Sequence, residues 1–272
     1  MKRELFNVAD EEFITLLSKT HEGFGNAGLR YMFVGGVAVQ LHVAKLLCDI
    51  HKDNLINIVR SGKIRVQDYF RSTDDVDIVI KPIEKESDES KAEIKARQSI
   101  FSALDYIVKE ELYISPTGDH LINIEIDKRG HVKPTFRLSV DGVGDRDKAV
   151  DFNIYRKPKD LRNTTLKEFE NSFFDIFLNG SVKLDLPYSS AGDISLRIKN
   201  KEHLLATKIA LGRKKDFHDA LSLVEYSNMA NQGIEYPVVE HILCSEDQRY
   251  HIKSEELCRR YEAFRNLEKT LK

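Results

Sequence analysis

Apolar positions recur at helical spacing near the start of the chain, where Phe13, Leu16, Leu17 and Phe24 share one face behind Asp10. Asp10 is a suitable N-cap, and Gly23 and Gly25 are the expected stops. Arg30–Val34 then reads as a strand running into Gly35-Gly36, and the stretch from Val37 to about Asn57 is helical in pattern, with Leu41, Leu46 and Ile50 at helical steps. Because a loop at Gly62 separates this stretch from Ile64-Arg65-Val66, we expect a long helix and an extra hairpin before the next strand. That strand, the apolar run Val76 to Ile80, ends at Pro82. A densely charged stretch from Glu84 to Lys95 opens a solvated helix continuing to Val108.

The middle of the chain changes to period two. Ile122, Ile124 and Ile126 fall on one face, as do Phe136, Leu138 and Val140, and then Val150, Phe152 and Ile154. Gly130 and Gly142-Val143-Gly144 separate these runs, which predicts consecutive antiparallel strands. Thr164 to Phe177 supports no assignment. Gly180 and Pro187 bracket one further strand, and Ile194 to Ile198 forms another. From Asn200 the pattern is helical: one helix capped by Asn200 and closing at Leu211-Gly212, a second capped by Asp216, and two more starting near Pro237 and Ser245. The pattern predicts an α/β (α+β) chain with a mixed sheet flanked by helices over residues 1–199, followed by a helical C-terminal part over 200–272.

Composition narrows the function classes. A chain of 272 residues with 41% hydrophobic and 32% charged residues has enough apolar surface for a substantial core. A formal net charge of −2 supplies no global basic field for nucleic acid, which leaves only local clusters such as Arg213-Lys214-Lys215 and Arg259-Arg260 for that purpose. No apolar run approaches the ~18 residues that a membrane helix needs, and Met1-Lys2-Arg3-Glu4-Leu5 is not followed by the apolar core of a signal peptide. Cys48, Cys244 and Cys258 are far apart in sequence and lack metal-ligand spacing, as do His42, His51, His203 and His218. These features predict a cytoplasmic protein with free thiols and packing or surface histidines.

The candidate chemistry lies at two acids. Asp75 and Asp77 are two residues apart at the mouth of a strand and therefore share a face. Two carboxylates so close repel unless a cation sits between them, and hard oxygen donors suit Mg²⁺ or Mn²⁺. Gly35-Gly36, between a strand and a helix, would let backbone N–H groups approach a phosphate at a helix N-terminus. Metal-assisted phosphoryl chemistry generally uses a further carboxylate. Asp151, in Ala149-Val150-Asp151-Phe152-Asn153, is the preferred candidate, and Glu125, in Ile124-Glu125-Ile126, is its rival. Lys208 falls inside an apolar helical stripe, so it either snorkels or meets an anion. Asp216 and Asp219 also suit the first turn of a helix, where acids cap or offset the dipole.

Val34-Gly35-Gly36 followed by Thr73-Asp74-Asp75-Val76-Asp77 resembles the signature of the nucleotidyltransferase superfamily, whose members share a DNA polymerase β-like fold. That superfamily generally keeps the two motifs closer in sequence than this chain does. The segment Lys208-Ile209-Ala210-Leu211-Gly212-Arg213-Lys214-Lys215-Asp216-Phe217-His218-Asp219 is similar to the helical segment of the abortive-infection type nucleotidyltransferase toxins. The resemblance implies transfer of a nucleoside monophosphate from a nucleoside triphosphate (NTP) such as ATP to an acceptor. It implies a metal at Asp75, Asp77 and Asp151, and nucleotide contacts at Gly35, Gly36, Arg71, Thr73, Lys208, Arg213 and Asp216. The acceptor stays open among a tRNA end, a protein hydroxyl and a small molecule, and whether a toxin-like relative of this kind has an antitoxin partner stays open with it. The alternative is a binding module that keeps the fold without the chemistry.

Overall fold

The computed structural model describes residues 7–70, 75–81, 122–126, 132–139, 145–154, 174–244 and 254–270. In chain order its elements are α1 (Glu11–Asn26), β1 (Arg30–Phe33), α2 (Gly35–His51), α3 (Leu55–Arg60), α4 (Val66–Tyr69), β2 (Asp75–Lys81), β3 (Ile122–Ile126), β4 (Val132–Ser139) and β5 (Asp145–Ile154). Then follow α5 (Phe174–Asn179), β6 (Val182–Ser189), β7 (Gly192–Ile198), α6 (Lys201–Leu211), α7 (Lys214–Met229), α8 (Tyr236–Cys244) and α9 (Ser254–Thr270).

Among the described residues, seven strands form one mixed sheet in the order β3-β4-β5-β2-β1-β7-β6. The neighbours β1 and β2 run antiparallel, whereas β2 with β5 and β1 with β7 run parallel. The three period-two segments form the expected consecutive antiparallel strands, β3 to β5. The period of two also divides the two cores. Tyr31, Phe33, Val76, Ile78 and Ile80 join Phe13, Leu17, Leu41, Leu47 and Ile58 of α1, α2 and α3. Met32, Val34 and Val79, one residue out of phase, join Phe177 of α5 and the apolar sides of α6 to α9, including Leu205, Ile209, Val224, Leu243 and Phe264. The C-terminal helices therefore cover the sheet face to which odd-numbered positions of β2 belong.

Several boundaries differ from the sequence reading, each for a local reason. Helix α1 runs through Gly23 and Gly25 and stops at Gly28, whose φ of +66° and the bond from Leu29 N–H to the Phe24 carbonyl (2.9 Å) close the helix. The long helix after Gly36 breaks at Lys52, which adopts the left-handed conformation, and Asn54 caps a separate α3 by accepting from the Asn57 N–H. Two short helices, α3 and α4, occupy the stretch for which the sequence predicts a hairpin. Asn200 caps α6 as predicted, accepting from Glu202 N–H (2.7 Å) and His203 N–H (3.3 Å). Helix α7 starts two residues before Asp216, with Arg213 at its N-cap. Pro187 is tolerated inside β6 because that strand is at the sheet edge, and the register shifts beside it. The charged stretch from Glu84 to Val108, Gly130, Gly142 to Gly144 and Ser245 lie outside the described residues.

Cys48, Cys244 and Cys258 are free thiols, as expected. Cys244 and Cys258 nevertheless come together at the junction of α8 and α9. Burial, and then the neighbouring Cys258, push the Cys244 thiol up to about 12.

His42 and His203 are buried packing histidines, both near Lys199. The His42 Nε2 pairs with the Lys199 carbonyl at 2.8 Å, and His203 packs on the Phe177 ring. Burial lowers both to about 4, the Lys199 charge adding to the effect on His203. Unfolded histidine titrates near 6.5. Above that pH both states are neutral and the full stability is present. As pH falls from about 6.5 toward 4, the unfolded chain takes up protons that the folded chain does not, and stability falls. The loss by pH ~5 is on the order of 2 kcal/mol for each histidine. Urea unfolding at pH ~7 and pH ~5 checks this, and His42→Gln should flatten the dependence. A pH-independent midpoint over that range is incompatible with two neutral buried imidazoles.

Candidate functional site

The two sequence motifs meet at the end of β1. Phe33 pairs with Ile78 in the antiparallel β1–β2 ladder, and the Val34 N–H donates to the Asp77 carbonyl at 3.0 Å. Val34 is extended, and Gly35 opens α2 with a φ of +66°. A Cβ at Gly35 would collide with the Asp77 carboxylate, which lies directly against the glycine backbone. Both the positive φ and this close approach require glycine. Gly36 follows within the first turn of α2, where unpaired N–H groups and the helix dipole favour negative charge. The long separation in sequence is thus bridged by α2, α3 and α4, and the motifs are adjacent in space.

The parallel ladder between β2 and β5 places Asp77 opposite Asp151 and Asp75 opposite Ala149. Register partners lie on the same sheet face, so positions 75, 77 and 151 share one face, the one covered by α6 to α9. Glu125 pairs with Lys133 in β3–β4 and is separated from β5 by the whole of β4. By register, position 151 and not position 125 adjoins positions 75 and 77. Three acidic positions on one face are a donor set of hard oxygens, which fits Mg²⁺ or Mn²⁺. Among the residues whose side chains are described, no group of three or more potential ligands comes together. The triad rests on the backbone register of Asp75 and Asp151 together with the half-buried side chain of Asp77. Arg71 and Thr73 lie outside the described residues.

The second constellation is built by the α6–α7 turn. Helix α6 is buried along nearly its whole length, from Glu202 to Ala210, so Lys208 has no route by which to snorkel. Its ammonium instead meets Asp219 Oδ2 at 2.7 Å and Asp216 Oδ1 at 3.3 Å, all three side chains being almost fully buried. Gly212, left-handed at φ +64° and accommodating Arg260, reverses the chain so that the start of α7 lies alongside α6. Arg213 then reaches Asp216 with Nε (2.5 Å) and Nη2 (3.1 Å) while its side chain is 56% exposed. Burial would raise the Asp216 carboxyl, but the bonds from Arg213 and the charge of Lys208 outweigh that and hold it below the usual range. The bonds to Asp216 hold the Arg213 guanidinium firmly charged, and Asp77 and Asp219 contribute through their own charges. Asp216 and Asp219, two candidates for capping α7, instead clasp a lysine from the neighbouring helix. The anion that Lys208 meets is internal.

Two further features had weak sequence signals. Lys199 is completely buried just after β7, donating to Thr207 Oγ1 at 2.6 Å and lying 3.8 Å from the Phe177 ring centroid. Its N–H bonds the Phe33 carbonyl at 2.9 Å, which ties β7 to the strand that ends at the glycines. As a lysine beside an N-capping Asn it reads as loop. A small crevice beside Asp219 is lined by Gln40 of α2, Tyr69 of α4 and His218 and Ser222 of α7. Only their convergence in space marks these residues.

No protein-family model matches the chain, and no curated protein matches it. Among solved structures it is similar to an antigenic nucleotidyltransferase-like protein from Paracoccidioides brasiliensis, at 17% sequence identity and a TM-score of 0.41, over 91% of this chain and 93% of that one. Among the described residues no helix is long and apolar enough to cross a membrane.

Three substitutions probe these contacts. Gly35→Ala forces a strained φ and a collision with Asp77, and should cost at least about 1–3 kcal/mol. Lys208→Met strands two buried carboxylates and should cost about 3–5 kcal/mol. Arg213→Ala leaves the buried Asp216 still paired with Lys208 and should cost about 1–2 kcal/mol. Urea denaturation of the three variants gives the order, and an Arg213→Ala loss equal to that of Lys208→Met would contradict it.

Proposed function

We propose that this chain is a metal-dependent nucleotidyltransferase that moves a nucleoside monophosphate from an NTP to a hydroxyl-bearing acceptor. The observation that carries the reading is the meeting of Gly35 with Asp77, with Asp151 as the register partner of Asp77. The helix N-terminus at Gly35-Gly36 offers backbone N–H groups to the triphosphate. Asp75, Asp77 and Asp151 are the residues that would hold Mg²⁺ or Mn²⁺. When bound, such a cation neutralises charge on the triphosphate and on the transferring group.

In the reaction, the acceptor oxygen forms a bond to the α-phosphorus, and the bond from that phosphorus to the α,β-bridging oxygen breaks. The electron pair leaves with pyrophosphate. Asp151 would take the acceptor's proton, or would complete the ligand set while that proton passes to solvent. Arg71 and Thr73, immediately before the Asp strand, and Arg213 are the proposed polar and cationic contacts of the nucleotide. The similarity of the Lys208 to Asp219 segment to abortive-infection type toxins supports an acceptor such as a tRNA end or a protein hydroxyl, with an antitoxin as partner. A small-molecule acceptor would use the same chemistry.

Isothermal titration with each of the four ribonucleoside triphosphates and Mg²⁺ tests the reading. The expected result is magnesium-dependent binding of at least one triphosphate, weakened by at least about tenfold in Asp75→Ala/Asp77→Ala. Absence of binding by all four would remove the nucleotide reading, and binding indifferent to both aspartates would leave a binding module in its place.

A further inference from the structure

We infer that the cation meeting the polyphosphate is Arg213 and that Lys208 is a positioning residue behind it; the inference rests on the nucleotide reading above. Lys208 is 3% exposed and already bonded to Asp216 and Asp219, themselves 0% and 2% exposed. To reach a phosphate its ammonium would have to abandon two buried carboxylates, leaving both charges unpaired in a dry interior. The geometry does not offer that lysine to a ligand.

Arg213 has the complementary properties. A guanidinium carries five N–H donors in a planar fork. Asp216 takes one from Nε and one from Nη2, and three N–H groups remain on a half-exposed side chain. The helix that Arg213 caps lies against the one that Gly35 opens, since Asp219, further along α7, shares a crevice with Val39, Gln40 and Val43 of α2. Planar forks pair with phosphate oxygens at two points, which a lysine ammonium does not do.

Asp216 links the two cations. Its Oδ1 accepts from both Lys208 and Arg213 Nη2, and its Oδ2 accepts from Arg213 Nε. A carboxylate pinned from the inside by Lys208 has one orientation left to offer, and that orientation sets the plane of the Arg213 fork. Asp219 holds the other side of Lys208. The cluster is buried at the Lys208 end and half-exposed at the Arg213 end.

The test compares wild type, Arg213→Ala, Arg213→Lys and Asp77→Asn by titration with Mg²⁺ and the NTP that the wild type binds, and with the matching monophosphate. Melting temperature is recorded for each. Arg213→Ala is expected to melt no more than ~6 °C below wild type. It should bind the triphosphate about 10- to 100-fold more weakly, with a much smaller loss for the monophosphate and a shallower salt dependence. Arg213→Lys should recover part of the loss, since it restores charge but not the fork. Triphosphate binding that Asp77→Asn abolishes but Arg213→Ala leaves intact would overturn this inference and spare the nucleotide reading. A wild type that binds no triphosphate would overturn both. Lys208 variants put the fold at risk, so the comparison is made at Arg213, where a purely structural role would shift melting without changing the preference for three phosphates over one.

Discussion

The candidate site depends on how closely the carboxylate of Asp77 approaches the backbone of Gly35. That approach requires β1 and β2 to be neighbours in antiparallel register, and it requires a residue with no Cβ at the first position of α2. It also fixes what can happen next to the acid, because the same glycine starts a helix whose free N–H groups face the same region. A carboxylate pressed against a helix N-terminus is stabilised as the anion. Position 151 is the register partner of Asp77 across the β2–β5 ladder, so two acidic positions adjoin on one sheet face.

The C-terminal helices supply the opposite charge, but indirectly. Helix α6 is packed on all sides, and a lysine within it is stable only because α7 sends back two carboxylates. A buried ion cluster of this kind contributes little net stability compared with an apolar equivalent, yet breaking it is costly. Its effect is on geometry. It sets the rotation of α7 against α6, which places Arg213 at the rim of the cluster. Slipping either helix by one residue would bury unpaired charge, so the alternative packings are disfavoured more strongly than the observed one is favoured.

Much of the fold was legible in the sequence because period two is a direct consequence of strand geometry. The three isoleucines from Ile122 to Ile126 and the apolar positions of β5 gave the antiparallel run. Asn200 announced the start of α6 through side-chain capping, a local interaction that survives any tertiary context. Local signals failed where tertiary contacts decided the outcome. Gly23 and Gly25 did not stop α1, because an internal glycine lowers helix stability by only about 1 kcal/mol and the packed face of α1 outweighs it. The carboxylates of Asp216 and Asp219 looked like caps because their spacing suits a helix start. A lysine on the preceding helix, eight and eleven residues upstream, offered each a stronger partner.

Lys208 shows most clearly what pattern can and cannot give. Its place inside an apolar stripe left snorkelling or an anion open, the resemblance implied a phosphate, and the partners it meets are the carboxylates of Asp216 and Asp219. Position along a helix does not distinguish an external phosphate from an internal carboxylate, since both satisfy the same ammonium. The distinction comes from burial: a ligand must exchange with water, and a group sealed among Asp216, Asp219 and the apolar faces of α6 does not exchange without disrupting the packing around it. Arg213, by contrast, owes its exposure to the left-handed turn at Gly212, which places it outside the apolar interior before α7 re-enters. The same segment thus divides the work by depth, with one cation organising the helices and the other half-exposed at the rim of the cluster.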